Sequence, residues 1–334
     1  GRQPGRYTGG AAMIRHGWRR LANQNRIPFA LVLLAAVVVI NLILQPNLLE
    51  PGTLNSSMRV FLPLILVAVG QTIVILAGGI DISAGAIVSI TNAILATQIG
   101  VKGEPGTAVL IMALVLLVGM AAGAVNGFFV AILRLQPIIT TYATSFLFGG
   151  LALLVLPSPG GGMPSQFTSF YRDTMPLGLP LAFFVILVIM LAWYGIRQTR
   201  YGRYLFAVGG NADAAYQTGV PVNLVQFSTY VVSGLMSAFG GIAITLLTGS
   251  GNAQIGDSLT LAAITAVVIG GTALSGGTGT VGGAIIGAII LGLLPNLISF
   301  ANIETWWQTF LNAAIIVIAL ALPGLMNLLR RKRT

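Results

Sequence analysis

The sequence predicts an all-α, polytopic membrane protein of about ten transmembrane helices, and three observations lead there. Of 334 residues, 56% are hydrophobic and only 7% charged, against about 25% charged in average soluble domains. So few charges could not cover a soluble fold of this size, whereas a surface facing lipid needs no such cover. Apolar windows of about 20 residues recur along the chain. Basic residues, finally, collect on one side of the ladder that those windows define.

The windows place spans near 28–44, 60–77, 84–99, 108–132, 137–156, 179–196, 222–248, 259–275, 281–299 and 306–325. An even number puts both ends on one side. With the amino terminus inside, the inner segments hold Arg2, Arg6, Arg15, Arg19, Arg20, Arg26, Arg134, Arg197, Arg200, Arg203, Arg330, Arg331, Lys332 and Arg333. The outer segments hold only Arg59, Lys102 and Arg172. This is the positive-inside pattern of a bacterial inner-membrane protein with both termini cytoplasmic. The net charge of +10 is then a topology signal and an anionic-lipid contact rather than a nucleic-acid footprint. The chain divides into a basic arm at 1–27, one membrane domain at 28–325 with an inner loop at 197–221, and a basic tail at 326–334. The first span has a basic start, but Gln45-Pro46-Asn47 is not a small-x-small cleavage site, so it reads as an uncleaved anchor.

Glycine stands at 43 positions, about twice its usual share. The four-residue spacings Gly123, Gly127 and Gly279, Gly283, Gly287 suit close helix packing in lipid. There is no cysteine, which excludes disulfides, thiol catalysis and Cys-ligated metal sites. The single histidine, His16, has no second histidine with which to share a metal.

Two places interrupt the spans. The stretch 60–99 must cross twice in 40 residues, yet its middle reads Gly78-Gly79-Ile80-Asp81-Ile82-Ser83-Ala84-Gly85. The stretch 259–299 has Gly270-Gly271-Thr272-Ala273-Leu274-Ser275-Gly276-Gly277 at its middle. Both fit Gly-Gly-x-x-x-Ser-x-Gly, so each predicts a broken or re-entrant turn, and together they predict an internal repeat of the kind transporters use. Asp81 is the only acidic residue in a hydrophobic segment. Two roles stand open for it: a functional intramembrane carboxylate or, with Ser83, the cap of the following helix.

The longest inner segment runs from Arg197 to Pro221. Asn211 suits an N-cap, Asp213 the first turn and Gly219 the position after the last turn, which predicts a short helix over Ala212–Thr218. Two turns are unstable alone in water, so this helix needs a partner, and the small side chains of Ala212, Ala214 and Ala215 would let one come close. The chain carries no motor of its own. A P-loop needs Gly-x-x-x-x-Gly-Lys-Ser/Thr, and neither Lys102 nor Lys332 follows a glycine. Nor is there a catalytic triad or a paired-carboxylate set, so no enzymatic role is expected.

Three stretches, 70–90, 199–220 and 261–294, together resemble the permease subunits of bacterial sugar-import ABC transporters, the ribose, xylose, arabinose and galactofuranose group. The resemblance extends more thinly over about 28–325. It implies a ten-span fold like that of the cobalamin importer (type II) and a second permease copy or paralogue. It also implies two ATPase subunits or one tandem ATPase, and an external sugar-binding protein. ATP and magnesium would be bound by the partner, with no cofactor on this chain. Asn211, Ala212, Asp213, Ala214, Ala215 and Gly219 would then form the coupling helix, approached through Arg200 and Arg203. The outer loop Pro157–Pro180 would shape docking of the binding protein.

A sugar path needs hydrogen-bonding and aromatic side chains without fixed charge. Gln71, Asn92, Asn126, Thr141, Tyr142, Ser145, Asn296, Gln308 and Asn312 lie within spans, and Gln226, Tyr230, Ser233 and Ser237 share one helix face. Interhelical hydrogen bonding is the competing role for all of them. A proton-coupled secondary transporter, a nucleoside, polyol or furanosyl-signal importer, and a non-transporting scaffold are the alternative functions.

Overall fold

The computed structural model describes residues 27–300 together with Trp307, Phe310, Ala314 and Val317; of 27–28 and 296–300 it describes the backbone only. Twelve α-helices follow one another among the described residues: α1 Ile27–Leu44, α2 Pro51–Leu76, α3 Ala84–Gln98, α4 Pro105–Gly127, α5 Pro137–Val155, α6 Ser165–Asp173, α7 Leu181–Gln198, α8 Arg200–Gly210, α9 Ala212–Gln217, α10 Val222–Thr248, α11 Asp257–Ile269 and α12 Val281–Phe300. No strand occurs among them, only an isolated bridge between Gly160 and Gly251. A π-helical turn, Phe128–Ile132, prolongs α4. Pro51, Pro105 and Pro137 open α2, α4 and α5; proline suits the first turn because the N–H it lacks would have no partner there.

Among the described residues, five helices are long and apolar enough to cross a membrane: α2, α4 with its π-helical turn, α5, α7 and α10. Their burial differs sharply. The apolar window of α2 is 89% buried and that of α7 only 11%. α2 is therefore the axis of the bundle, wrapped by α10, α11 and α12, and α7 lies at its edge. The predicted glycine packing is present where α4 crosses α10: a Cβ on Gly119 or Gly123 would strike the backbone of Gly234 or Tyr230. Gly283 and Gly287 bring α12 equally close to Gly270 and Ala266 at the end of α11. Gly279 does not belong to this set; it lies in the loop before α12, against Thr272.

α3 and α11 have 15 and 13 residues, about 22 and 20 Å of helix, short of a hydrocarbon core of about 30 Å. The span expected at 259–275 thus ends six residues early. Two helices outside the predicted spans also appear: α6 in the loop Pro157–Pro180, and α8 before the expected short helix. Most of the span expected at 306–325, the arms with His16, and Gln308 and Asn312 lie outside the described residues.

Candidate functional site

The loop between α2 and α3 starts with a tight cap. Gly79 N–H donates to the Val74 carbonyl at 3.0 Å and Gly78 N–H to the Ile75 carbonyl at 2.9 Å. This pairing needs a left-handed residue, and Gly78 supplies it with φ of 84°. The chain then passes through Asp81, which is fully buried. One carboxylate oxygen accepts from the Ser83 N–H at 3.0 Å and the Ser83 hydroxyl at 2.7 Å. The other accepts from the Ser233 hydroxyl of α10 at 2.8 Å. Ser83 Oγ accepts in turn from Asn126 Nδ2 of α4 at 2.7 Å, and Asn126 Oδ1 accepts from the Thr144 hydroxyl of α5 at 2.6 Å. Gln71 of α2 brackets the Asp81 backbone, its amide donating to the carbonyl at 3.0 Å and accepting from the N–H at 3.2 Å. Thr141 Oγ1 accepts from the Ile82 N–H at 3.0 Å.

One buried loop thus ties α2, α3, α4, α5 and α10. The ion pair recorded among the described residues, Arg172–Asp173, is elsewhere, so three donors rather than a counter-ion balance Asp81. The carboxyl lies beside the N-terminal, partly positive end of α3.

Neither Asp81 nor Ser83 caps α3 in the sense expected. Ser83 makes no side-chain cap bond, because its hydroxyl is already engaged by Asp81 and Asn126. The cap comes from another helix: Gly85 N–H donates to Thr260 Oγ1 of α11 at 2.9 Å. The arrangement is reciprocal, since Gly256 N–H at the start of α11 donates to Ser89 Oγ of α3 at 3.0 Å. The starts of the two short helices face each other so closely that a Cβ on Gly85 or Gly256 would strike the other's backbone.

The second turn, 270–280, repeats the cap but not the rest. Thr272 N–H donates to the Val267 carbonyl at 3.1 Å and Gly271 N–H to the Val268 carbonyl at 2.9 Å, with Gly271 at φ of 89°. The structural equivalent of Gly78 is therefore Gly271 and not Gly270, one residue from the alignment of the two motifs. Ser275, matched to Ser83 in sequence, is exposed. The residue that serves the next helix is Thr280, whose Oγ1 accepts from the Gly283 N–H at 3.0 Å.

The two turns meet. Gly277 N–H donates to the Leu76 carbonyl at 3.1 Å, satisfying an end group of α2 that has no partner within the helix. Into this junction fits the end of α8. A Cβ on Gly209 would strike the Leu76 carbonyl and the Gly277 nitrogen, and one on Gly277 would strike Gly210. Directly after this contact comes α9. Asn211 caps it as expected, Oδ1 accepting from the Ala214 N–H at 2.9 Å. Gly219 closes it with φ of 83°, and Val220 N–H reaches the Ala215 carbonyl at 3.1 Å. The helix ends at Gln217, one residue short of the expectation. Ala215 was expected on the docking face, yet it is 5% exposed and packs into the main core. The outward face consists of Asp213, Ala214, Gln217 and the 71%-exposed Tyr216. Arg200 and Arg203 are exposed on α8.

The expected path residues separate into groups. Gln71, Asn126, Thr141 and Ser233 converge on the first turn, and Tyr230 lies under it against Gly79. Asn92 is also fully buried, but toward the opposite end. Its Nδ2 donates to Thr245 Oγ1 at 2.7 Å and its Oδ1 accepts from the Asn252 N–H at 2.7 Å, holding the loop after α10. Ser237 is buried and Gln226 half-buried on α10. Tyr142 is exposed on α5 with Ser145 beside it, the Ser145 hydroxyl donating to the Tyr142 carbonyl at 2.6 Å. The side chain of Asn296 lies outside those described. Sequence reasoning omitted Thr144 and Thr260, since threonines in apolar spans carry no signal until their partners are known.

The loop Pro157–Pro180 is held down by α6. Asn55 Nδ2 of α2 donates to the Arg172 carbonyl at 2.8 Å, and the Tyr171 hydroxyl donates to the Arg59 carbonyl at 3.0 Å. Burial pushes the Tyr171 phenol above its ordinary pKa, and the Arg172 hydrogen bond holds the Asp173 carboxyl below the usual range.

Comparison with known proteins adds what the geometry leaves open. The family model for the permease component of the branched-chain amino acid transport system matches residues 53–320. The chain belongs to this permease family. Among curated relatives, the ribose import permease protein RbsC of Bacillus subtilis is 36% identical over 290 residues, covering 86% of this chain and 89% of the relative. RbsC of Escherichia coli K12 is 33% identical over 297 residues, covering 87% and 91%. The autoinducer 2 import system permease protein LsrD of Salmonella paratyphi B is 30% identical over 310 residues, covering 90% and 91%. No solved structure matches. The membership accounts for a lipid-facing, all-helical chain, and makes it a transport subunit of the membrane rather than an enzyme.

Proposed function

We propose that this chain is the membrane subunit of an ATP-driven importer that passes a monosaccharide delivered by an external binding protein. The observation that carries the reading is the placement of α9. A capped two-turn helix with an exposed outer face follows directly on Gly209 and Gly210, which rest on both interrupted turns. A push on α9 therefore reaches the ends of α2 and α11 through backbone contacts. The chain lacks a P-loop, so the push comes from a separate ATPase that holds ATP and magnesium. In this reading the subunit has ten spans in a type II arrangement and pairs with a second copy or paralogue. The end bearing Arg134, Arg197, Arg200 and Arg203 faces the cytoplasm, as do both termini. Gln71, Asn126 and Ser233 close the path around Asp81, Asn92 holds its outer end, and Tyr142, Ser145 and Gln226 line the face toward the partner subunit.

The sugar assignment rests on the likeness to the ribose import permeases. The likeness to an autoinducer 2 permease supports a second reading, a small signalling solute carried by the same machine. One experiment addresses both. The chain is reconstituted with its ATPase and binding protein, and ribose and autoinducer 2 are tested for ATP-dependent uptake. In parallel, Tyr216→Ala and Ala214→Arg are tested for co-purification of the ATPase. Both variants insert normally and lose the ATPase if α9 is the lever. Retention of the ATPase with normal uptake in both would remove α9 from that role. Uptake that collapses with an ionophore at constant ATP would remove the ATP-driven reading.

A further inference from the structure

At its edge position α7 diverges from α12, and the two helices leave a groove of about 450 Å³ between them. Ile186, Met190 and Ile286 line it with hydrocarbon, and Gly282 forms a floor without a side chain. The Met190 methyl lies 3.3 Å from where a Gly282 Cβ would stand, so a larger side chain at 282 would take up room in the groove. The groove is amphipathic along its length. Arg197 and Tyr194 stand at its mouth, at the basic end of the bundle. Trp193, buried behind them, packs on Phe206 of α8 with ring centroids 6.3 Å apart, and the Arg197 guanidinium lies 5.9 Å over the same Phe206 ring. No ion pair to Arg197 occurs among the described residues. Ile186 and Arg197 are separated by eleven residues of α7, about 16 Å of helix. That is about half of a hydrocarbon core of about 30 Å, the depth of a single leaflet.

We infer that this groove is a binding site for one anionic phospholipid of the leaflet at the basic end, its acyl chain lying between α7 and α12 and its phosphate on Arg197. The depth fits one acyl chain and the lining fits hydrocarbon. The guanidinium, which has no ion pair among the described residues, fits a phosphate, and Tyr194 sits at the level where aromatic side chains favour headgroups. Charge argues against occupation by this chain's own carboxyl-terminal tail, whose Arg330, Arg331, Lys332 and Arg333 would be repelled by Arg197. Because Phe206 belongs to α8, the lipid would rest against the back of the segment that carries α9.

The test uses the full chain purified in detergent and followed by native mass spectrometry. Phosphatidylglycerol or phosphatidylcholine with identical acyl chains is added. One phosphatidylglycerol should stay bound about fivefold more strongly than phosphatidylcholine, the preference of a single basic side chain for an anionic headgroup. Arg197→Gln should lower phosphatidylglycerol to the phosphatidylcholine level, and Arg197→Lys should keep the preference. Gly282→Leu, which fills the groove without touching charge, should remove the tight adduct of both lipids. Equal retention of the two lipids by the unaltered chain would overturn the site, as would undiminished phosphatidylglycerol on Arg197→Gln. The chain has no cysteine, so a disulfide between cysteines placed at Met190 and Phe310 has no native competitor. Its efficient formation would put a protein segment in the groove and overturn the lipid. If Gly282→Leu fails to fold, the Arg197 pair still decides.

Discussion

The turns at 77–83 and 270–280 start from the same backbone device and then part company. Each ends its helix on a left-handed glycine with two crossed hydrogen bonds, Gly78 in one and Gly271 in the other. Three residues past that glycine, the first turn has Asp81, fully buried and held by three donors. At the same offset the second has Leu274, 43% exposed. One duplicated geometry therefore serves two tasks. The first turn binds five helices together through a polar core, while the second stays small and makes room for the end of α8. A shared cap sets where a helix stops; the side chains after it decide what the stop is for.

The largest effect should come from the point where both turns are touched at once. Gly209→Val would drive a branched side chain into the Leu76 carbonyl and the Gly277 nitrogen. Backbone cannot repack as a side chain can, so a loss of about 3 kcal/mol, the upper end for overpacking, is expected. It would be read as a collapse of the thermal midpoint in detergent, and an unchanged midpoint would dissolve the three-way junction.

Next in size, Asp81→Asn sets an amide donor against the Ser233 hydroxyl, which must turn from donor to acceptor, and weakens the buried network by about 2 kcal/mol. Leu274→Asn at the matching place should change stability by no more than about 0.5 kcal/mol, as surface substitutions do. Equal effects at the two positions would erase the contrast between the turns. In the Asp81→Asn variant, uptake per folded molecule should remain indifferent to a proton gradient, since the carboxylate acts as a structural acceptor; gradient-dependent uptake lost with the substitution would make it a coupling site instead.

Gly78→Ala and Gly271→Ala should each cost about 1 kcal/mol, the penalty of a side chain in a left-handed conformation. Matched shifts in midpoint sharpen the equivalence of Gly78 with Gly271. The same loss at Gly270, whose φ is ordinary, would require another cause, because a Cβ there meets the Gly283 backbone. Smallest of all, Ser275→Ala should be silent within about 0.5 kcal/mol, whereas Ser83→Ala cuts the relay between Asp81 and Asn126.

The two turns also mark how far the sequence could be read. Apolar windows and paired glycines located the helices and their interruptions, because both are local patterns. The register of the repeat was missed by one residue, because Gly270 and Gly271 look alike until hydrogen bonds choose between them. The short helix at 212–217 was legible from Asn211 and Gly219, which are caps with distinct side-chain and backbone demands. Its inward face was not, since two turns carry too little periodicity to tell Ala214 from Ala215. α6 escaped for a similar reason, being nine residues long in a loop rich in glycine and proline. The polar network was the least legible part. Gln71, Asp81, Asn126, Thr144 and Ser233 could be listed as polar residues in apolar surroundings, but their meeting depends on contacts across as many as 152 positions.

The seating of Gly209 and Gly210 on main-chain atoms has a mechanical corollary. Side chains between moving parts act as springs, since each rotamer change absorbs some displacement. Here main chain bears on main chain, and that give is missing. The linkage is stiff, so in the coupling proposed above the relative timing of the two turns would be fixed by geometry and not by the side chains at the contact. The adjustable quantity is the length of the connection between Gly210 and α9, where Asn211 stands alone.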